Sequence, residues 1–155
     1  MTRYQGPYPS VNFSKQVNEV AEPSQMVVFS GELTANKTGF PIGACKDGGE
    51  IVGVWLSVGA SGKDDDTALS ATLDIKINGT TCLTTSPDIA HVSGEASQQK
   101  TTKATGDTGI TEAVLDSDAN DCAAGDMITG SLTLTRTSPT TEISNVAVVV
   151  EFEPS

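Results

Sequence analysis

Aromatic side chains are scarce in this sequence: one Trp, two Tyr and four Phe make up 5% of 155 residues. A sugar-binding surface displays several flat rings together, and few are available here to build one. Histidine is scarcer still, with His91 the only imidazole. A Ser–His–acid hydrolase would therefore have one candidate base. Ser61, in Gly59-Ala60-Ser61-Gly62, misses the nucleophile-elbow spacing. Acidic residues are too numerous for a carboxylate pair to mean anything by itself. No enzymatic activity is expected.

Positive charge is also in short supply. Nine basic residues face 20 acidic ones, for a net charge of −11. Such a surface repels a phosphate backbone and an anionic bilayer, so neither nucleic acid nor membrane is an expected partner. No apolar run approaches the roughly 20 residues of a membrane helix. The opening MTRYQGPYPS lacks the apolar centre of a secretory signal. Cysteine is limited to Cys45, Cys82 and Cys122, with no C-x-x-C spacing. Without an export signal, reduced and mostly buried thiols are expected. A zinc site would need all three and His91 to converge by folding alone, so no metal or other cofactor is expected.

Helix-forming patterns are missing, and what remains reads as β. Thr favours strands, while Gly and Ser favour turns. Met26 to Leu33 is a first strand. Phe40 to Cys45 is a second, placed at an edge by Pro41. Ile51 to Val58 is a third, with Val52, Val54, Leu56 and Val58 on one face and Ile51 and Trp55 on the other. Both faces being apolar marks it as central, with Trp55 expected in the core. Leu69, Ala71, Leu73, Ile75 and Ile77 alternate with polar residues up to Asn78-Gly79, a strong hairpin signal. Thr80 to Thr85 returns antiparallel. Ile110 to Leu115 is a short strand. Ile128, Leu132 and Leu134 mark another, with Gly130 as a candidate bulge. Val146, Val148, Val150 and Phe152 form the last. About eight one-sided strands predict an antiparallel β-sandwich or jelly roll over residues 25–155.

Several stretches invite a functional reading. Asp116-Ser117-Asp118-Ala119-Asn120-Asp121 places oxygen ligands like a calcium loop, but Asp121 and Met127 stand where Gly and Glu are needed, so a solvated acidic turn is expected. Lys63-Asp64-Asp65-Asp66 reads as a solvated loop tip. Gly62-Lys63 fails as a phosphate loop, because Ser57 replaces the earlier Gly and Asp64 would repel the phosphate. Residues 93–109 form a long polar stretch of the kind that is functional or flexible. Residues 1–24, with Pro7, Pro9 and Pro23, read as an extended arm.

Three elements carry a resemblance. They are Asp74-Ile75-Lys76-Ile77-Asn78-Gly79-Thr80 with Thr84-Thr85-Ser86-Pro87, Ala123-Ala124-Gly125-Asp126 leading into Leu132 to Thr137, and Ser138-Pro139-Thr140-Thr141-Glu142 before Val146 to Phe152. Over residues 50–155 the chain resembles head decoration, or cement, proteins of tailed bacteriophages. That resemblance implies a β-sandwich made in the host cytoplasm and bound to the outside of the virion. There it would clamp the major capsid protein lattice as a homo-oligomer, a trimer rather than a dimer. The arm is the expected clamp, with Arg3, Tyr4, Tyr8 and Phe13 as partner-binding residues, since Arg and aromatic side chains dominate interface hot spots. The loop 93–109 would be a second contact or the outward tip. The alternatives are a tail or fibre module that binds a host receptor, and a carbohydrate-binding jelly roll.

Overall fold

A computed structural model describes residues 24–104 and 106–155. The partner-binding residues expected in the arm, Arg3, Tyr4, Tyr8 and Phe13, lie outside the described residues. Those described are all-β with no helix, and their antiparallel sheets curl into a half-barrel consistent with a β-sandwich. The long strands are β1 (Ser24–Glu32), β2 (Lys37–Ala44), β3 (Gly49–Ala60), β4 (Ser70–Ile77), β12 (Met127–Thr135) and β13 (Ser144–Pro154). Short ones fill the gaps: β5 (Thr80–Thr81), β6 (Leu83–Thr85), β7 (Asp88–Ala90), β8 (Lys100–Thr101), β9 (Ile110–Thr111), β10 (Val114–Leu115) and β11 (Asp121–Cys122).

One sheet runs β1-β13-β3-β11, with β8 also on β3, and the other runs β2-β12-β4-β7-β9, with β5 also on β4. Period-two patterning faces the sheets toward each other. From β4, Ala71, Leu73 and Ile75 are fully buried, as are Val146, Val148 and Val150 from β13. They join Leu56, Ile128 and Leu132 in one core cluster. The expected positions of Pro41 and of the third strand are borne out: β2 is an edge, and β3 lies between β13 and the short strands β8 and β11. At Asn78-Gly79 both residues take positive φ, 48° and 88°, as the tight hairpin requires. The acceptor Asn78 Oδ1 also receives the Met127 N–H at 3.0 Å, tying the turn to β12.

Four expectations are corrected. The face assignment of β3 fails at its start, because the β3–β13 register shifts between Glu151 and Phe152. Val52 is the extra residue, so Ile51 turns into the core at 0% exposure and Val52 turns out at 41%. Trp55 is half-buried on the outer face rather than in the core. The return strand from Asn78-Gly79 pairs with β4 only through Thr81, after which Cys82 turns inward and β6 leaves to pair with β10. The single strand expected at 110–115 is two, β9 on β7 and β10 on β6. The candidate bulge at Gly130 is on the β2 side, where the register shifts between Gly130 and Leu132, while the register with β4 is regular. The glycine's lack of a side chain makes room for the Phe40 ring, which a Cβ there would meet at 2.5 Å.

Candidate functional site

The outer face of the five-stranded sheet carries apolar side chains in rows. Met26 on β1 pairs with Val149 on β13, which pairs with Trp55 on β3. The next row is Val28, Ala147 and Ser57. Paired residues of an antiparallel ladder point to the same face, so these side chains adjoin. Met26 is 62% exposed and Val28 54%. The local cause is the run Met26-Val27-Val28-Phe29, which gives β1 apolar residues on both faces when its partner covers only one. Phe29 points inward and meets Phe40 of β2 edge-to-face at 4.9 Å between centroids.

Charge rims this patch. Lys103 Nζ lies 3.8 Å from the Trp55 ring centroid, a cation–π contact. The same ammonium reaches Glu151 Oε1 at 3.3 Å. Apolar side chains including Met and Trp beside charged ones are common in protein-binding surfaces. The patch suits a sugar less well, because Lys103 occupies one face of the only tryptophan. Among the described residues, β1 has one hydrogen-bonded strand neighbour, β13. Ser24, at the end of the expected arm, already pairs with Glu151 in this edge strand.

The long polar loop is no free tip. Lys100 in β8 is 3% exposed, and its Nζ donates to Glu95 Oε2 at 2.8 Å, Thr108 O at 2.7 Å and Ala90 O at 3.3 Å. The Lys100 ammonium, with Thr108, holds the Glu95 carboxyl below its ordinary range. Thr102 exchanges hydrogen bonds with the Leu56 backbone through its N–H and hydroxyl. The loop is thereby fastened along β3.

The expected solvated tip at Lys63 to Asp66 holds for the exposed Asp65 and Asp66 but not for Asp64. Asp64 is 8% exposed and accepts the Thr67 hydroxyl at 2.5 Å and the Thr67 N–H at 2.9 Å. Asp65 Oδ1 accepts the Gly94 N–H at 2.9 Å and lies 3.0 Å from His91 Nε2. The Gly94 bond, then His91, pulls the Asp65 carboxyl down to about 2. A lowered carboxyl stabilises the fold above its unfolded value near 3.8 and loses that contribution as pH falls toward 2. An NMR titration of Asp65 is therefore expected to show a midpoint near 2. A midpoint near 3.8 would remove this role.

Ser61 and His91 form no catalytic pair. The Ser61 hydroxyl accepts the Gln98 N–H at 3.1 Å, while His91 Nε2 is engaged by Asp65 and its Nδ1 has no hydrogen-bond partner among the described residues. In the acidic turn, Asp116 Oδ1 accepts the Asp118 N–H at 3.0 Å, and Asp121 enters β11, which the sequence reading missed. Among the described residues, no three His, Cys, Asp or Glu side chains are grouped to hold a metal ion. No family model matches this sequence, and no curated protein matches it.

Proposed function

We propose that this protein decorates and stabilises a bacteriophage capsid by binding the outer surface of the major capsid protein lattice. The observation that carries the reading is the outward-facing row Met26–Val149–Trp55 on a sheet whose edge strand follows the arm in sequence. The resemblance of residues 50–155 to head decoration proteins supplies the partner. The arm, with Arg3, Tyr4, Tyr8 and Phe13, reaches over a neighbouring shell subunit or a sister copy, and the sheet face docks beside it. Copies assembled as a trimer on a symmetric shell make each further contact effectively intramolecular, so weak single contacts suffice.

The test is sedimentation with undecorated capsids. The full chain is expected to pellet at a saturating, lattice-like ratio. A chain lacking residues 1–23, and a Met26→Asp/Val28→Asp variant, are each expected to bind more than about tenfold more weakly, the scale of losing one hot spot. Both should keep the β circular-dichroism signal, since the truncation leaves every described strand intact and Met26 and Val28 are exposed. A full chain that stays in the supernatant overturns the reading. Variants that still join the particle but lose host attachment would favour a receptor-binding module instead.

A further inference from the structure

Cys45 directly follows β2 in one sheet, and Cys122 lies in β11 of the other. They are 77 positions apart in sequence, and the fold brings their sulfurs to 2.6 Å. The backbones around them are already clamped. Cys45 N–H donates to Asp126 O at 2.9 Å, and Gly125 N–H donates to Cys45 O at 2.7 Å. The turn just after Cys122 is thus hydrogen-bonded across to the end of β2. Bond formation therefore needs no strand movement, which is the usual obstacle to a new disulfide. Cys82 sits apart, fully buried and bonded through its backbone to Ile75 and Asp116.

We propose that Cys45 and Cys122 form an oxidation-dependent disulfide that staples the two sheets together and leaves Cys82 as the free thiol. The staple stands or falls separately from capsid binding. An open cleft of about 810 Å³ is lined by Cys122 with Gly48, Gly49, Asp121 and Asp126, so local opening at this rim is the route by which an oxidant reaches the buried Cys122 thiol. With a glutathione disulfide as oxidant, the Cys122 thiolate attacks one glutathione sulfur and expels the first glutathione thiolate. The Cys45 thiolate then attacks the Cys122 sulfur of the mixed disulfide and expels the second. The two cysteines lose two protons and two electrons in total, and two glutathione thiols gain them. Burial, with the neighbouring Cys45 thiol, pushes the Cys122 thiol up to about 12. Thiolate is therefore rare at neutral pH, and closure takes hours rather than seconds.

The experiment uses the full chain, incubated with oxidised glutathione and then freed of it. Intact mass should fall by two hydrogen atoms, and non-reducing peptide mapping should join the Cys45 and Cys122 peptides. A loop this long predicts a Tm higher by on the order of 10 °C, reversed by dithiothreitol. Cys82→Ala should retain the shift relative to its own reduced form, while Cys122→Ser should abolish it. Three thiols still titratable after oxidation and unfolding would overturn the proposal. So would a disulfide mapped to Cys82, or a Tm that is unchanged once the Cys45–Cys122 bond has formed.

Discussion

Lys100→Ala is expected to destabilise the protein by about 2–4 kcal/mol, a fall in Tm on the order of 10 °C. The side chain is 1% exposed and its ammonium serves a carboxylate and two carbonyls. Alanine removes the donor from Glu95 Oε2 and from both carbonyls, leaving Glu95 only the Thr108 hydroxyl, and opens a void where the stem packed. The upper end of the usual range for breaking a buried pair is not reached, because Glu95 is 22% exposed and water can still solvate it. Two controls separate charge from volume. Lys100→Met keeps the stem and should remain destabilised, because Glu95 stays uncompensated. Adding Glu95→Gln should recover part of that loss, since the double variant buries no lone charge. The pH dependence follows from the lowered Glu95 carboxyl. Its contribution is present above the ordinary carboxylate range and lost as pH falls through its folded value, so the deficit of Lys100→Ala shrinks on acidification. A deficit below about 1 kcal/mol in denaturant melts would show that the ion pair does not hold the loop.

Gly62→Ala should cost a comparable amount, about 2–4 kcal/mol, through geometry rather than charge. Gly62 sits at φ 73°, and a Cβ there would lie 2.8 Å from Thr141 O and 3.0 Å from Ile143 N. Leu69 Cδ2, at 2.6 Å, can swing aside, but the two backbone atoms are fixed. Lys63 and Thr141 exchange backbone bonds at 2.8 and 3.1 Å, so any shift to relieve the clash breaks the bridge beside it. Gly79→Ala is the matched control. It has φ 88° with nothing near its Cβ and should lose only the roughly 1 kcal/mol of left-handed strain. Equal losses at the two positions would mean that close approach plays no part at Gly62.

Much of the fold was legible because each signal was local. The alternation Ala71-Leu73-Ile75-Ile77 is a property of one strand, and the Asn78-Gly79 turn depends on two residues. Pro41 removes a donor wherever it falls, so an edge position for β2 followed from chemistry alone. The misreadings lie where pairing partners decide. Ile51 and Val52 exchange faces because β13 shifts register opposite them, and nothing within β3 records that. Thr80 to Thr85 looked continuous, yet β6 finds β10 instead of β4. Lys100 sits in a stretch with the composition of a solvated loop. Its burial depends on the Glu95 carboxylate and on the carbonyls of Ala90 and Thr108, which meet its ammonium only in the folded chain.

The candidate surface divides the same way. The run Met26-Val27-Val28-Phe29 announced a strand, but not that Met26 and Val28 would be exposed among the described residues. Sequence alone determined an acidic, strand-rich chain, because composition, period-two patterning and turn residues act over a few positions. Tertiary structure alone decided that Trp55 faces outward beneath Lys103, that Met26 aligns with Val149, and that Cys45 meets Cys122. Those facts join residues far apart in sequence, and they exist only once the register between strands is set.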